Sequence, residues 1–302
     1  MEKAMREQIV FAHTADGLTL EGLHVAPVGR ESRPPILWLH GLHLTFCEPE
    51  YVMLARALAK RGHPVMLVNT RGKGFGAWLR ASGGNARLGG SGWEIFQESL
   101  IDIAAWLDWA TATLGVPGVV VAGHGYGGTK AAYFASQRRD PRVLAVIAAS
   151  SGSLVRDTLD PAQLELAERM VGEGRSVDLM PFGTLRGSVQ ATVSAQVYVN
   201  RVQVNRDLHG SEQVSPALSR VECPLLAFFG AQEQVAGRDV NGFLDSIARN
   251  AASAPFVERA LIPGAGYFFG GAELAVAERI ARFLARVMQW RGEDQAKSRR
   301  AS

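Results

Sequence analysis

Cysteine is scarce in this chain: Cys47 and Cys223 are the only two among 302 residues. Two thiols so far apart in sequence give no disulfide framework and point to a reducing compartment. Long apolar runs are also missing, since no window approaches the roughly 18 consecutive apolar residues that a membrane span needs. The opening stretch Met1–Glu7 is polar and lacks the apolar core of a signal peptide. Charge of one sign is lacking too. The formal net charge is +3, and from Arg291 onward four bases (Arg291, Lys297, Arg299, Arg300) against two acids (Glu293, Asp294) supply +2 of it. The body is near neutral, which argues against nucleic acid as a partner. The expectation is a cytoplasmic protein with no nucleic-acid or membrane partner and a disordered tail over 291–302. Nothing in the sequence sets the oligomeric state, and a homodimer is compatible with it.

What is present is a run of buried strands alternating with helical patterns. Gln8–His13 and Leu18–Val25 flank the Asp16-Gly17 turn as a hairpin. Ile36–Leu39, Val65–Val68, Val119–Ala122, Val143–Ala149, Pro224–Phe229 and Val257–Ile262 read as strands. Between them, Tyr51–Arg61, Trp93–Leu114, Thr129–Gln137, Val240–Arg249 and a closing segment from Glu273 to about Trp290 show helical spacing. Unalternated, β-branched strands separated by helices imply a mostly parallel sheet covered on both faces. The alternation breaks for roughly sixty residues, too long for a simple connection. This break carries a helical stretch, Pro161–Val171, and a mixed segment, Ser188–Val204.

Five short motifs follow the strands in order. His40-Gly41 ends the third strand, and Asn69-Thr70-Arg71-Gly72 follows the fourth. Gly123-His124-Gly125-Tyr126-Gly127 forms a strand–turn–helix. Gly230-Ala231-Gln232-Glu233 and Pro263-Gly264-Ala265-Gly266-Tyr267-Phe268-Phe269 follow the last two strands. In this order the chain resembles the α/β-hydrolase superfamily. The resemblance implies an eight-stranded, mostly parallel sheet, with the core in 1–152 and 220–290 and a helical lid in 153–219. It also implies a nucleophile at position 125, an acid at 233 and a base at 267. This chain supplies Gly125, Glu233 and Tyr267. Glutamate is a known variant of the acid, but glycine cannot attack a carbonyl and tyrosine is a poor base at neutral pH. The triad is degenerate. The glycines at 123, 125 and 128 also fit a dinucleotide fingerprint, but the next strand ends without the acid that fold requires.

The backbone of the elbow survives the loss of its side chain. By the resemblance, the amides of Leu42 and Tyr126 form the oxyanion hole. His40, His43 and His124 lie in the flanking turns, where His40 and His124 are expected to brace the backbone and His43 to meet substrate. Cys47, Ser150 and Ser151 are weaker candidates for a replacement nucleophile. His40 and His43 lack a third ligand, so no metal and no cofactor are expected. The segment Arg71–Trp93 holds eight glycines, four bases and no acid. It reads as a flexible loop or a mobile rim, with Arg71 and Trp78 receiving an anionic or aromatic substrate. Met170, Met180, Phe182 and Tyr198 of the insertion are expected to line an apolar pocket. Three functions fit these residues: an enzyme acting on a carbonyl-bearing small molecule without a serine nucleophile (lyase, cyclase, dehydratase or C–C chemistry), an inactive pseudo-hydrolase that binds a ligand or partner, and a hydrolase with a relocated nucleophile or activated water.

Overall fold

A computed structural model describes residues 4–29, 33–154, 159–184, 191–211, 213, 215–233 and 239–301. Strands β1 (Met5–His13) and β2 (Thr19–Pro27) form the expected hairpin. Thr14 closes its turn, donating to Asp16 at 2.6 Å and accepting the Leu18 amide at 2.8 Å. Then follow β3 (Ile36–Leu39), α1 (Pro49–Lys60), β4 (Val65–Val68), β5 (Ala77–Arg80), β6 (Ala86–Gly89) and α2 (Ser99–Leu114). After these come β7 (Val119–His124), α3 (Tyr126–Gln137) and β8 (Val143–Ala149). Helices α4 (Pro161–Gly172) and α5 (Ala195–His209) lie in the break, before β9 (Leu225–Gly230), α6 (Val240–Asn250), β10 (Val257–Ile262) and α7 (Glu273–Ala301).

The main sheet has eight strands in the order β1-β2-β4-β3-β7-β8-β9-β10, with antiparallel pairing only at β1/β2 and β2/β4. Each central strand splits its side chains between two cores. Leu37, Leu39, Val119 and Val121 join Ile103 and Trp106 of α2 and Phe134 of α3 on one face. Ile36, Trp38, Val120 and Ala122 join Leu54 and Leu58 of α1 and Ile280 and Phe283 of α7 on the other. This two-sided burial is why the strands read as unbroken apolar runs.

Four expectations are corrected. The segment Arg71–Trp93 is not an unstructured loop: β5 and β6 pair antiparallel within it. Helix α2 starts at Ser99 rather than Trp93, after a 3-10 turn at Phe96–Glu98. The Glu94 carboxylate faces inward there, held by Lys130 Nζ at 2.7 Å from each oxygen. The mixed segment Ser188–Val204 contributes to α5 from Ala195 onward, its residues 188–190 lying outside the described residues. The tail expected to be disordered continues α7 to Ala301.

Arg71 is a structural clamp. It is 2% exposed, and its guanidinium donates to Asp102 (Nη2–Oδ1 2.8 Å), Glu98 (2.9 Å) and Asp16 (3.0 Å). Its own amide reaches Asp102 Oδ2 at 2.7 Å. Burial opposes the charge, but these carboxylates outweigh it and raise the Arg71 pKa. One side chain therefore ties the loop after β4 to α2 and to the β1–β2 turn. Arg71→Met strands Asp102 as a buried charge and is expected to cost about 3–5 kcal/mol of unfolding free energy. Urea denaturation measures it, and a loss under about 1 kcal/mol would mean the clamp is not structural.

Candidate active site

β7 ends at His124 and α3 begins at Tyr126, so the direction of the chain reverses through Gly125 alone. Its φ of 54° and ψ of −119° lie in a left-handed region that side chains rarely adopt. The strain of a nucleophile elbow is retained although no nucleophile is present. Gly127 serves the same turn differently. A Cβ there would overlap the carbonyls of Leu39 and His40, so its absence lets α3 lie close against the end of β3.

Above the elbow stands Tyr267, in the loop after β10. A Cβ built on Gly125 would overlap the Tyr267 hydroxyl oxygen and lie 3.4 Å from Cζ. The space beside Gly125 is therefore filled by the Tyr267 side chain. His124 holds it there. Its Nε2–H donates to the Tyr267 carbonyl at 2.9 Å, and the two rings pack edge to face with centroids 4.3 Å apart. On the other side of the imidazole, Nδ1 accepts from Tyr51 Oη at 2.7 Å, and Tyr51 in turn accepts the Gly41 amide at 3.3 Å. Burial pushes the His124 pKa down to about 4. It is thus a neutral bracing group with one tautomer.

Glu233 follows β9 and is buried. Its Oε2 accepts from Ser150 Oγ at 2.6 Å and from the Gly230 amide at 3.3 Å. Oε1 is buried with no hydrogen-bond partner among the described residues. Burial pushes this carboxyl up to about 7, outweighing the hydrogen bonds from Ser150 and Gly230. Burial also raises the Tyr267 phenol, and the charge of Glu233 raises it further, so the two groups sense each other. Ser150 has a φ of 48° and donates its amide to the Phe228 carbonyl at 2.8 Å. Its hydroxyl is committed to Glu233. Ser151 Oγ is committed to the Ala149 carbonyl at 3.1 Å.

Beneath the His40-Gly41 turn, His40 Nδ1–H donates to the Gly41 carbonyl at 2.9 Å and Nε2 accepts the Thr70 amide at 3.2 Å. Burial foremost, and the nearby charge of Lys130, push its pKa down to about 3. It braces the turn. Gly41 Cα lies 4.0 Å from the Cβ position of Gly125, so the loop bearing the Leu42 amide faces the elbow bearing the Tyr126 amide. His43 departs from that loop toward Ser91, with Nδ1 and Oγ 2.5 Å apart. Cys47 is exposed.

Two expected pocket residues lie elsewhere. The Arg71 guanidinium is spent on three carboxylates, and Trp78 is 72% exposed on β5, whose inward residue is Leu79. Two of the other three bases of that segment are engaged as well: Lys73 pairs with Glu21, and Arg87 with Asp16 at 2.9 Å. Met170, Met180 and Tyr198 are buried in the insertion's own small core, while Phe182 is exposed. That core packs against Leu42 and Ile95, and the Ser194 amide reaches the Gly92 carbonyl at 2.8 Å. Sequence reasoning missed Tyr51 and Ser91. Neither belongs to a motif, and only their distant partners mark them. Clefts of about 280 and 340 Å³ open near Val143 and Gly118, where β8 and β7 begin. That is the opposite end of the sheet from the elbow, whereas sites in such folds sit at the strands' carboxyl ends.

Two outcomes follow from this geometry. Gly125→Ala is expected to cost roughly 2–4 kcal/mol through overlap and strain. In a Tyr267→Phe background the cost should fall by about 1–2 kcal/mol, because the hydroxyl is gone; additive losses in urea denaturation would place the phenol elsewhere. The pKa of Glu233 is raised on folding, so the stability linked to its protonation is complete below its ordinary range and is lost as pH rises through about 7. Glu233→Gln should therefore gain roughly 2 kcal/mol over the parent at about pH 8 and nothing near pH 4. A gain that does not vary with pH would refute the linkage.

A sequence profile for the alpha/beta hydrolase fold matches residues 34–178. The curated proteins contain no match. Among solved structures, Est1E from Butyrivibrio proteoclasticus with ferulic acid bound is 17% identical, with 93% of this chain and 99% of that one covered and a TM-score of 0.64. The alpha/beta hydrolase GrgF from Penicillium sp. sh18 is 16% identical, covering 94% and 99%, with a TM-score of 0.66. The Pyrococcus furiosus esterase Pf2001 is 14% identical, covering 93% of each chain, with a TM-score of 0.58. Among the described residues, no helix is long and apolar enough to cross a membrane. Sheet order, elbow geometry and profile match agree, and the chain has the α/β-hydrolase fold.

Proposed function

We propose that this chain is a non-serine enzyme of the hydrolase fold that moves a proton at the carbon beside a substrate carbonyl. This is the step shared by lyase, dehydratase and carbon–carbon bond chemistry. One observation carries the reading: the Tyr267 hydroxyl occupies the place of the missing nucleophile side chain. An oxygen at that point faces the reacting carbon of a carbonyl whose oxygen sits on the Leu42 and Tyr126 amides. The positive end of α3 adds to that site. The raised pKa of Tyr267 disfavours a free phenolate, so the phenol acts by relay. With substrate bound, the phenol takes the α-proton as it passes its own to Glu233, whose Oε1 is buried and accepts no hydrogen bond from the described residues beforehand, and the reverse delivers a proton to an enolate. The amides hold the enolate oxygen meanwhile.

The same reading assigns the supporting parts. Residues 1–152 and 220–290 are the catalytic core, and the insertion 153–219, packed on Leu42, is the lid. The proposed partner is a small molecule, and the scarcity of cysteine supports a cytoplasmic location. The engaged hydroxyls of Ser150 and Ser151 weigh against a relocated nucleophile.

Hydrogen–deuterium exchange at the α-carbon of a panel of aryl ketones and 2-oxo acids, followed by NMR, tests the relay. Exchange should exceed the buffer rate and rise with pH through about 7, where Glu233 ionises and can receive the proton. Tyr267→Phe and Glu233→Gln should each lower it by about 10²-fold or more, the latter also flattening the pH profile. Exchange unchanged in Tyr267→Phe, or labelling of the parent by a serine-directed phosphonate, sinks the proposal. An absence of exchange across the panel favours the inactive, ligand-binding reading.

A further inference from the structure

His43 takes no part in that relay, yet its surroundings are those of a binding group. It lies one residue beyond the Leu42 amide with a left-handed backbone, φ 63°, which a non-glycine residue adopts only when its neighbours impose it. Its two ring nitrogens are unequal. Ser91 Oγ gives its single proton to the Gly74 carbonyl at 2.6 Å. Nδ1, at 2.5 Å from the same Oγ, must then be the donor. The proton is fixed on Nδ1 and the lone pair on Nε2. That Nε2 atom is buried and has no hydrogen-bond partner among the described residues, a costly state unless something supplies a donor. Burial lowers the His43 pKa, which keeps the ring neutral.

The His43 ring packs into an aromatic cluster. The Phe75 ring lies 5.7 Å from His43, and Trp93 lies 5.6 Å from Phe75. Trp93 Nε1 donates to the Val177 carbonyl of the insertion at 2.8 Å, which fixes the far side of the cluster. Of the bases in the Arg71–Trp93 segment, Arg71, Lys73 and Arg87 are each neutralised by carboxylates. A neutral acceptor against aromatic faces disfavours an anion and suits a flat ring that carries a donor.

We infer that His43 Nε2, with Phe75 and Trp93, forms a binding subsite for an aromatic ring bearing a hydrogen-bond donor, a phenol in the simplest case. The inference rests on the proton-transfer reading only for which end of the ligand meets the Leu42 loop; binding at the subsite does not require turnover.

The probes are 4-hydroxyacetophenone and 4-methoxyacetophenone, titrated into the full chain by calorimetry. The parent should bind the hydroxyl compound about tenfold more tightly. His43→Phe keeps the ring's bulk without the acceptor and should bring the two affinities within about twofold. His43→Asn, which tolerates the left-handed backbone, should do the same while circular dichroism reports a folded protein. Tyr267→Phe should keep the full preference, which separates this subsite from the relay. The inference is overturned if the parent shows no preference or binds neither ketone at about 10 mM. Preference surviving both His43 variants, or vanishing in Tyr267→Phe, overturns it equally.

Discussion

The hydroxyl of Tyr267 and a side chain at position 125 compete for one volume, and the site is organised around that exclusion. The backbone at 125 makes a strained strand–helix turn with no side chain at its apex. An oxygen nevertheless reaches the centre. It arrives from the loop after β10, held by the bond from His124 to the Tyr267 carbonyl. Glycine at 125 and tyrosine at 267 are thus one structural feature spread over two distant positions. A glycine alone would leave a vacancy; here the vacancy is occupied.

The polar groups beneath the site divide into two kinds. Lys130 with Glu94, and Arg71 with Asp102, are buried ion pairs whose members have their partners, and Lys130 also reaches Thr70 at 3.1 Å. Thr70 in turn holds His40, so this lattice fixes the loop that carries Leu42. Such pairs add little net stability but hold geometry, because breaking one strands a charge. Glu233 Oε1 and His43 Nε2 are the other kind, buried without hydrogen-bond partners among the described residues.

The fold was largely legible because its signals are local. Buried strands such as Ile36–Leu39 and Val119–Val121 alternate between two cores, and that pattern is written in consecutive residues. The five motifs are equally local, since each marks a turn at a strand end. Reading failed where contacts at long range overrode local spacing. Glu94 is drawn out of the helical register by Lys130, thirty-six positions away. The Arg71–Trp93 segment has the composition of a loop, yet its Ser82-Gly83-Gly84-Asn85 turn joins two short strands that Leu79 anchors to the core.

By itself, the sequence determined the fold and the absence of a serine at the strand–helix turn, because these depend on residue identity and short-range periodicity. The tertiary structure alone decided that Tyr267 fills the space above Gly125, that Arg71 is a clamp rather than a substrate grip, and that His43 faces inward with a bare nitrogen. Each of those facts joins side chains many positions apart, and no spacing along a chain encodes which distant atoms come to share a volume.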